Sequence, residues 1–377
     1  MRLELATEKD NLELCQFYQE FSIPGPMDLK PNRYSDFSAP YRLIGNEERT
    51  FVLRSLKNNK IQAFGTFIFR DVAVDGKVVK IALAKDLRVA NNRSAIIEWS
   101  QHFLPALKQV HEKYGAQHVF STINMEDPTA LNTFVRPRNM RRPIPRYYLY
   151  RKFNLVSLHG KYPWAPKPIA GLRIREGSAA TEGALIDYLI RRSSYRPFAT
   201  IFDENSFRQK LQQLKGMKIS DFLIAFDSLD NVVGCLAPWS GSGIQDYIPI
   251  QYSLLAHNFR QALKFFWLLG MTRRLAKPVA STAVEQPLKF RYLTNLYVDN
   301  EDIFESLVWR AWEKANKDEF LLYSQVEQDY RISPPLSWIS AKTSHALYSV
   351  VSPDQEFPEF LNPSISLNPE IEPYLIL

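Results

Sequence analysis

Two stretches of this 377-residue chain place chemically useful residues in the same order. Lys85–Trp99 reads KDLRVANNRSAIIEW, and Thr294–Trp309 reads TNLYVDNEDIFESLVW. Each carries an alternating apolar strand (Leu87 and Val89; Leu296 and Val298) through a polar turn holding Asn91 or Asn300 into an amphipathic helix. The strand end follows one pattern in both: acid or amide, Leu, any residue, Val, any residue, Asn. The match is informative because its flanking elements repeat in the same order.

Other constellations offer less. The histidines (His102, His111, His118, His159, His257 and His345) show no HExxH spacing, so no metal is expected. Ser240–Gly243, SGSG, lacks the strand-turn-helix setting of a phosphate loop or nucleophile elbow and reads as a flexible turn. Cys15 and Cys235 fall in different halves without a CxxC or Cys/His cluster, which argues for a reducing compartment. The net charge of +7 sits in the first half, where residues 1–160 hold 24 Lys/Arg against 16 Asp/Glu. Its densest part, Arg136–Lys152 (RPRNMRRPIPRYYLYRK), has no acidic residue. An anion-binding strip using Arg136, Arg138, Arg141 and Arg142 would suit nucleic acid. A solvated basic connector explains the same residues, and nucleic acid is not an expected partner. The charged start MRLELATEKD lacks the apolar core of a signal peptide. The most apolar run, Phe265–Met271 (FFWLLGM), falls far short of the about 20 residues that span a bilayer. No membrane partner and a cytoplasmic location are therefore expected, and that run reads as core or as a contact between domains.

The elements that must position the two stretches recur with them. Before the first come a strand and helix over Leu3–Phe21 and a hairpin over Thr50–Phe69, with Asn58 and Asn59 at its turn. Before the second come a strand and helix beginning at Leu172 and a hairpin over Phe222–Leu236. After each, the helix leads to an apolar strand, His118–Ile123 or Phe320–Val326. A spacing of roughly 170 to 210 residues is too long for a solenoid and predicts two domains of one type. These are residues 1–158 and 172–352, joined by the Pro/Gly-rich linker HGKYPWAPKPIAG at 159–171, with a Pro-rich extended tail at 353–377. The long irregular segment Met27–Asn46 is a candidate for lining a ligand cleft. Ala237–Leu288 is an insertion in the second domain, and Pro105 predicts a kink or break in the helix that holds it.

Strand, helix, antiparallel meander, a strand ending in Leu-x-Val-x-Asn, helix, a strand ending at Asn124, helix and final strand: this order resembles the GNAT superfamily of acyl-coenzyme-A-dependent N-acyltransferases. The two halves look like two such domains in tandem. The resemblance implies an α+β fold (a mixed α/β sandwich) of two tandem GNAT-like domains, each a mainly antiparallel sheet with a splayed central strand flanked by helices. It implies acetyl-CoA or another acyl-CoA as cosubstrate in the N-terminal domain, and a small-molecule or peptide amine as acceptor. Carried over residue by residue, Leu87 and Val89 present strand amides to the pantetheine arm. Asn91 to Ala95 form the pyrophosphate loop, with Arg93 as its basic residue and Ser94 where a glycine is usual, and Asn124 contacts the cofactor arm.

The chain departs from the family at several positions. Ile96 and Glu98 stand where small residues let the backbone approach the phosphates. Phe134 stands near the family's catalytic tyrosine and cannot donate a proton. In the second half Asp299, Glu301 and Asp302 would repel a pyrophosphate, so that half is not expected to bind coenzyme A in the usual way. Asp86 is then the best-placed general base for an incoming amine; a plainer reading pairs it with Lys85 or Arg88. The expected function is acyl-CoA-dependent N-acyl transfer. The alternative is a catalytically inactive tandem module that binds a ligand or partner through the same cleft.

Overall fold

Strands such as Ile61–Val74 and Leu223–Phe226 are apolar at consecutive as well as alternate positions, so both faces of the sheet they form must be covered. The computed structural model describes residues 1–74, 77–136, 144–165, 169, 171–194, 196–361 and 368–375. In the first half the order is β1 (Arg2–Leu5), α1 (Asn11–Gln19), β2 (Met27–Asn32), α2 (Ala39–Arg42), β3 (Glu47–Arg54), β4 (Ile61–Val74), β5 (Lys77–Val89), α3 (Arg93–Glu112), β6 (His118–Asn124), α4 (Pro128–Ala130) and β7 (Arg146–Lys161). In the second it is β8 (Arg173–Glu176), α5 (Glu182–Ser193), α6 (Glu204–Gln213), β9 (Leu223–Phe226), β10 (Val232–Trp239), β11 (Asp246–Tyr252), α7 (Leu254–Leu268), α8 (Val279–Thr282), β12 (Phe290–Val298), α9 (Glu301–Lys314), β13 (Phe320–Val326) and β14 (Trp338–Val351).

Twelve strands form one sheet in the order β1-β3-β4-β5-β6-β14-β7-β13-β12-β10-β9-β8. The order reads alike from both ends. β1, β3, β4, β5 and β6 correspond to β8, β9, β10, β12 and β13, and the pairing is antiparallel except between β5 and β6 and between β12 and β13. The last strand of each half crosses over. β14 from the second half pairs with β6, whereas β7 from the first pairs with β13, and the two lie together at the centre from Trp338 opposite Lys161 to Val351 opposite Arg146. The sequence segment 159–171 is thus partly strand, since His159–Lys161 continue β7; residues 166–168 and 170 lie outside the described residues.

One face of the sheet carries the helices that follow the two repeated strands. Trp99, Leu107 and Val110 of α3 bury against Phe51, Phe67 and Phe69, and Ile303, Leu307 and Ala311 of α9 bury against Leu223, Leu236 and Leu293. The opposite face carries α1, α5 and α6, whose Leu14, Tyr18, Leu185, Leu189 and Phe207 share a core with Val52, Phe64, Ile68, Ile224 and Phe226. Each fully buried Leu or Phe contributes about 1.5–3 kcal/mol. α3 runs through Pro105 without a break, because that residue lies on the exposed face, where the carbonyl it frees can turn to water. Met27–Asn46 is structured: β2 pairs with β11 of the second-half insertion, so a ribbon built from both halves lies over the first. The apolar run at 265–271 is not core as expected, for Phe265, Leu268 and Leu269 are 62%, 69% and 61% exposed. Among the described residues no helix is long and apolar enough to cross a membrane.

The exchange predicts that neither half folds alone, since β6 lacks its β14 neighbour in a fragment 1–161. Expressed separately, fragments 1–161 and 162–377 are expected to show no cooperative thermal transition by circular dichroism, and to regain one when co-expressed. A cooperative transition in 1–161 alone would contradict the exchange.

Candidate functional site

The parallel pairing of β5 with β6 runs from Ile81 opposite His118 to Ala84 opposite Ser121 and stops there. β5 continues to Val89 along β4, so beyond Lys85 it parts from β6 and leaves a cleft whose far wall is Thr122–Asn124. At the opening β5 carries a bulge. Its register against β4 shifts between Phe64 and Thr66, and Asp86 adopts φ 54°, a left-handed conformation that Asp and Asn tolerate better than most residues. The bulge breaks the alternation: Leu87 and Val89 pack on the α3 side, whereas Lys85 and Asp86 engage partners on the other face. Gly65 lies opposite the bulge, where a Cβ would stand 3.1 Å from the Trp99 ring, so only glycine lets α3 close on this part of the sheet.

Asp86 is anchored rather than free. Its side chain is 8% exposed and pairs at 2.5 Å with Arg33, itself 1% exposed. Tyr41 donates to the same carboxylate at 2.9 Å, and Tyr18 donates to it at 3.2 Å. Arg33 also donates to Gln245 at 2.6 Å, to the Tyr41 hydroxyl at 2.7 Å and to the Phe37 carbonyl at 3.3 Å, and it lies over the Tyr18, Phe37 and Tyr41 rings. Burial alone would raise the Asp86 pKa, yet Arg33, Lys85 and Arg88 together hold it well below the usual carboxylate range. The carboxylate expected as general base is thus engaged at both oxygens, with Arg33 as its ion-pair partner and Lys85 and Arg88 adding to the positive field around it.

The start of α3 lies beyond the bulge. Asn92 is the N-cap, its side chain accepting from Ala95 N at 2.8 Å, which leaves the first-turn N–H groups of Arg93 and Ser94 directed out of the helix. Asn91, Asn92, Arg93 and Ser94 are exposed, and Ala95 is buried beneath them. Ile96, 53% exposed, points to solvent, and Glu98 turns aside to the Met1 amino group at 3.5 Å. Asn124 lies on the cleft wall, but its side chain is engaged: its amide donates to Pro24 O at 3.0 Å and its carbonyl accepts from Glu126 N at 2.9 Å. Phe134 stacks near Tyr147 in a cluster with Ile123 and Tyr348. Of the basic strip, Arg136 is exposed, while Arg138, Arg141 and Arg142 lie outside the described residues.

Two residues near the cleft escaped the sequence reading. His345 of β14 stands opposite Asn124, stacks on Phe153, and its Nε2 has no partner among the described residues. Burial, aided by Lys85, lowers its pKa to about 4, so the ring is neutral at physiological pH. The Lys85 amine donates to the Leu375 carbonyl at 2.8 Å, and burial lowers its pKa to about 8. Only the crossing of β14, which no local pattern encodes, brings His345 here.

The second half has the same opening. Parallel pairing of β12 with β13 ends at Tyr292 opposite Leu322, and Asn295, with φ 49°, sits at a matching bulge against β10. This cleft is filled by residues 368–375. Asn295 N donates to Glu372 at 2.9 Å, Ser324 donates to the Ile371 carbonyl, and Tyr297 donates to Glu370. Burial and the neighbouring Glu370 push the Glu372 pKa up to about 7. The acids of α9 are engaged at its start: Asp299 pairs with Arg192 and accepts from Tyr188 at 2.9 Å, while Glu301 and Asp302 occupy the first turn and oppose the helix dipole.

No family model matches this sequence, and no curated protein does. Solved structures match by fold. Yeast (Saccharomyces cerevisiae) N-myristoyltransferase with bound myristoyl-CoA aligns with TM-score 0.54 at 11% identity, over 93% of this chain and 79% of that one. A conserved Enterococcus faecalis V583 protein of unknown function, described as a probable N-acyltransferase, aligns with TM-score 0.51 at 8% identity, over 93% and 72%. A GCN5-related glucosamine N-acetyltransferase region of a fungal β-N-acetylglucosaminidase aligns with TM-score 0.56 at 11% identity, over 92% of this chain and 38% of that one. The chain therefore shares its fold with these N-acyltransferase structures.

Asp86→Asn leaves the Arg33 guanidinium buried without a counter-charge and is expected to cost about 3–5 kcal/mol in urea unfolding. Because the Asp86 pKa is lowered on folding, its contribution is complete above its unfolded value and is lost as pH falls below about 4. The variant should therefore lose stability less steeply than wild type over that acid range. Equal stability at neutral pH would show that the pair does not anchor the bulge.

Proposed function

We propose that the protein is an acyl-CoA-dependent N-acyltransferase that binds one acyl-CoA per chain, in the β5/β6 cleft. The observation that carries this reading is the contrast between the clefts: in one, β5 parts from β6 and leads to an exposed, basic helix start, and the other is filled and acid-flanked. Backbone groups of Leu87–Val89 would bond the pantetheine arm, and the Arg93 and Ser94 amides with the Arg93 side chain would hold the pyrophosphate. The acceptor is a small-molecule or peptide amine, approaching on the face covered by the β2–β11 ribbon. Its nitrogen attacks the thioester carbonyl, the C–N bond forms, the C–S bond breaks, and the sulfur leaves as the thiolate of coenzyme A. The proton released by nitrogen passes first to His345 Nε2, whose neutral ring has a free lone pair, and then to the thiolate. Asp86 is a positioning residue: with Arg33 it holds the bulge that opens the cleft.

Calorimetric titration with acetyl-CoA is expected to give a 1:1 stoichiometry, and Arg93→Glu to weaken binding about tenfold or more. Two sites per chain, or no binding at millimolar ligand, would overturn the reading. His345→Gln is expected to lower kcat by about a hundredfold or more while the acetyl-CoA Kd is unchanged, as for loss of a proton acceptor. A parallel fall in kcat and in cofactor affinity would mark His345 as structural. Activity is read across a panel of amines by release of free thiol.

A further inference from the structure

Helix α7, rich in Leu and Phe, turns most of its apolar side chains away from the protein. Of its 15 residues only Leu263 is buried. The inward side is already satisfied: the Leu263 carbonyl accepts from Thr272 at 2.6 Å, Phe259 meets the His159 ring edge-on at 5.3 Å, and Arg260 donates to the Ala276 carbonyl at 3.2 Å. The outward side consists of Leu254 and Leu255, 77% and 81% exposed, then Phe265, Leu268 and, just past the helix, Leu269. At 3.6 residues per turn these positions, Leu255 apart, fall in one stripe about 100° wide, opposite Leu263.

The chain around the stripe carries charge of one sign. Between Asp246 and Glu285 it has no acidic residue, and it holds Arg260, Lys264, Arg273, Arg274 and Lys277. Lys264, Arg274 and Lys277 are exposed and, among the described residues, pair with no carboxylate; Arg274 lies over the Trp267 ring. We propose that residues 254–277 form a membrane-surface anchor: the apolar stripe enters the interface of an anionic bilayer, and Lys264, Arg274 and Lys277 bind the lipid headgroups. This goes beyond the proposed reaction and does not depend on it. A helix of this kind lies in the plane of the bilayer, so the length that rules out a span sets no limit on it. Charge decides against a second copy as the occupant. A copy docked face to face would set Lys264, Arg274 and Lys277 against the same three cations, whereas an anionic surface neutralises them. The face is formed before binding, so no helix has to be ordered on the lipid. α7 follows β11 directly, and Ser253 N donates to Pro26 O at 2.9 Å, which joins the anchor to the β2–β11 ribbon.

The test is flotation of the full-length protein with vesicles of phosphatidylcholine alone, and of phosphatidylcholine and phosphatidylglycerol in equal parts. Wild type is expected to bind the anionic vesicles about tenfold or more tighter than the neutral ones, with affinity falling as salt rises. Phe265→Ser with Leu268→Ser keeps every charge and is expected to weaken binding to anionic vesicles about tenfold or more, with the thermal midpoint unchanged. Leu254→Ser with Leu255→Ser, at the other end of the helix, should do the same. Lys264→Glu with Lys277→Glu should abolish the preference for anionic lipid. Undiminished binding by both serine pairs would overturn the proposal, since the net charge of +7 alone would then account for adsorption. No vesicle binding by wild type would overturn it as well: self-association lost in the serine pairs would then assign the face to a second copy, and the lack of self-association to another protein.

Discussion

A guanidinium and a carboxylate, both removed from water, govern the shape of this site. Desolvating each ion costs several kcal/mol, and the attraction between them offsets that only if the remaining donors and acceptors are matched. Here they are, and the partners come from different parts of the chain: Tyr18 from α1, Tyr41 from α2, Gln245 from the residue before β11, and Asp86 from the bulge of β5. The Arg33–Asp86 pair is therefore better understood as a specification than as a source of net stability. It fixes α1, α2 and the β2–β11 ribbon relative to the point where β5 turns away from β6. The cleft stays open because that point is held.

The two halves use the same backbone device for opposite ends. Asp86 and Asn295 occupy equivalent left-handed positions, but a neutral amide calls for no buried counter-charge. A carboxylate, Glu372, takes the exposed Asn295 amide instead. At the helix starts the contrast continues. α3 presents Arg93 beside open N–H groups, whereas α9 presents Glu301 and Asp302, which satisfy the dipole from within the chain. One helix start is basic and the other acidic, although the main chain follows the same path in both.

Much of this was legible locally. Period-two runs with Asn at the turn gave the hairpins of β3/β4 and β9/β10, and the Leu-x-Val-x-Asn pattern located both splayed strands with their helices. The first position of that pattern was legible in type but not in reason. Acid or amide suits that position because those side chains tolerate positive φ, a conformational demand that the residue type alone does not reveal. Strand partnership was not legible, since β7 and β14 would alternate identically beside either half. Nor was the path of residues 368–375, whose prolines suggest an extended chain without saying what it covers. The exposure of Phe265 and Leu268 was hidden for a similar reason: an apolar helix face does not reveal whether anything packs on it.

The crossing of β7 and β14 gives the filled half a purpose that its closed cleft does not. A splayed parallel pair leaves β6 with one edge on the cleft, so its other edge must be secured or the wall would be free to move. β14 secures it from Asn124 to Phe120 and places His345 behind the wall. The same half contributes β11 to the ribbon and Gln245 to the guanidinium. Each of these contributions depends on the sheet register that the shared central ladder imposes. The β5/β6 cleft is thus a product of the whole chain, although its helix start and the strand that leads to it lie within the first hundred positions.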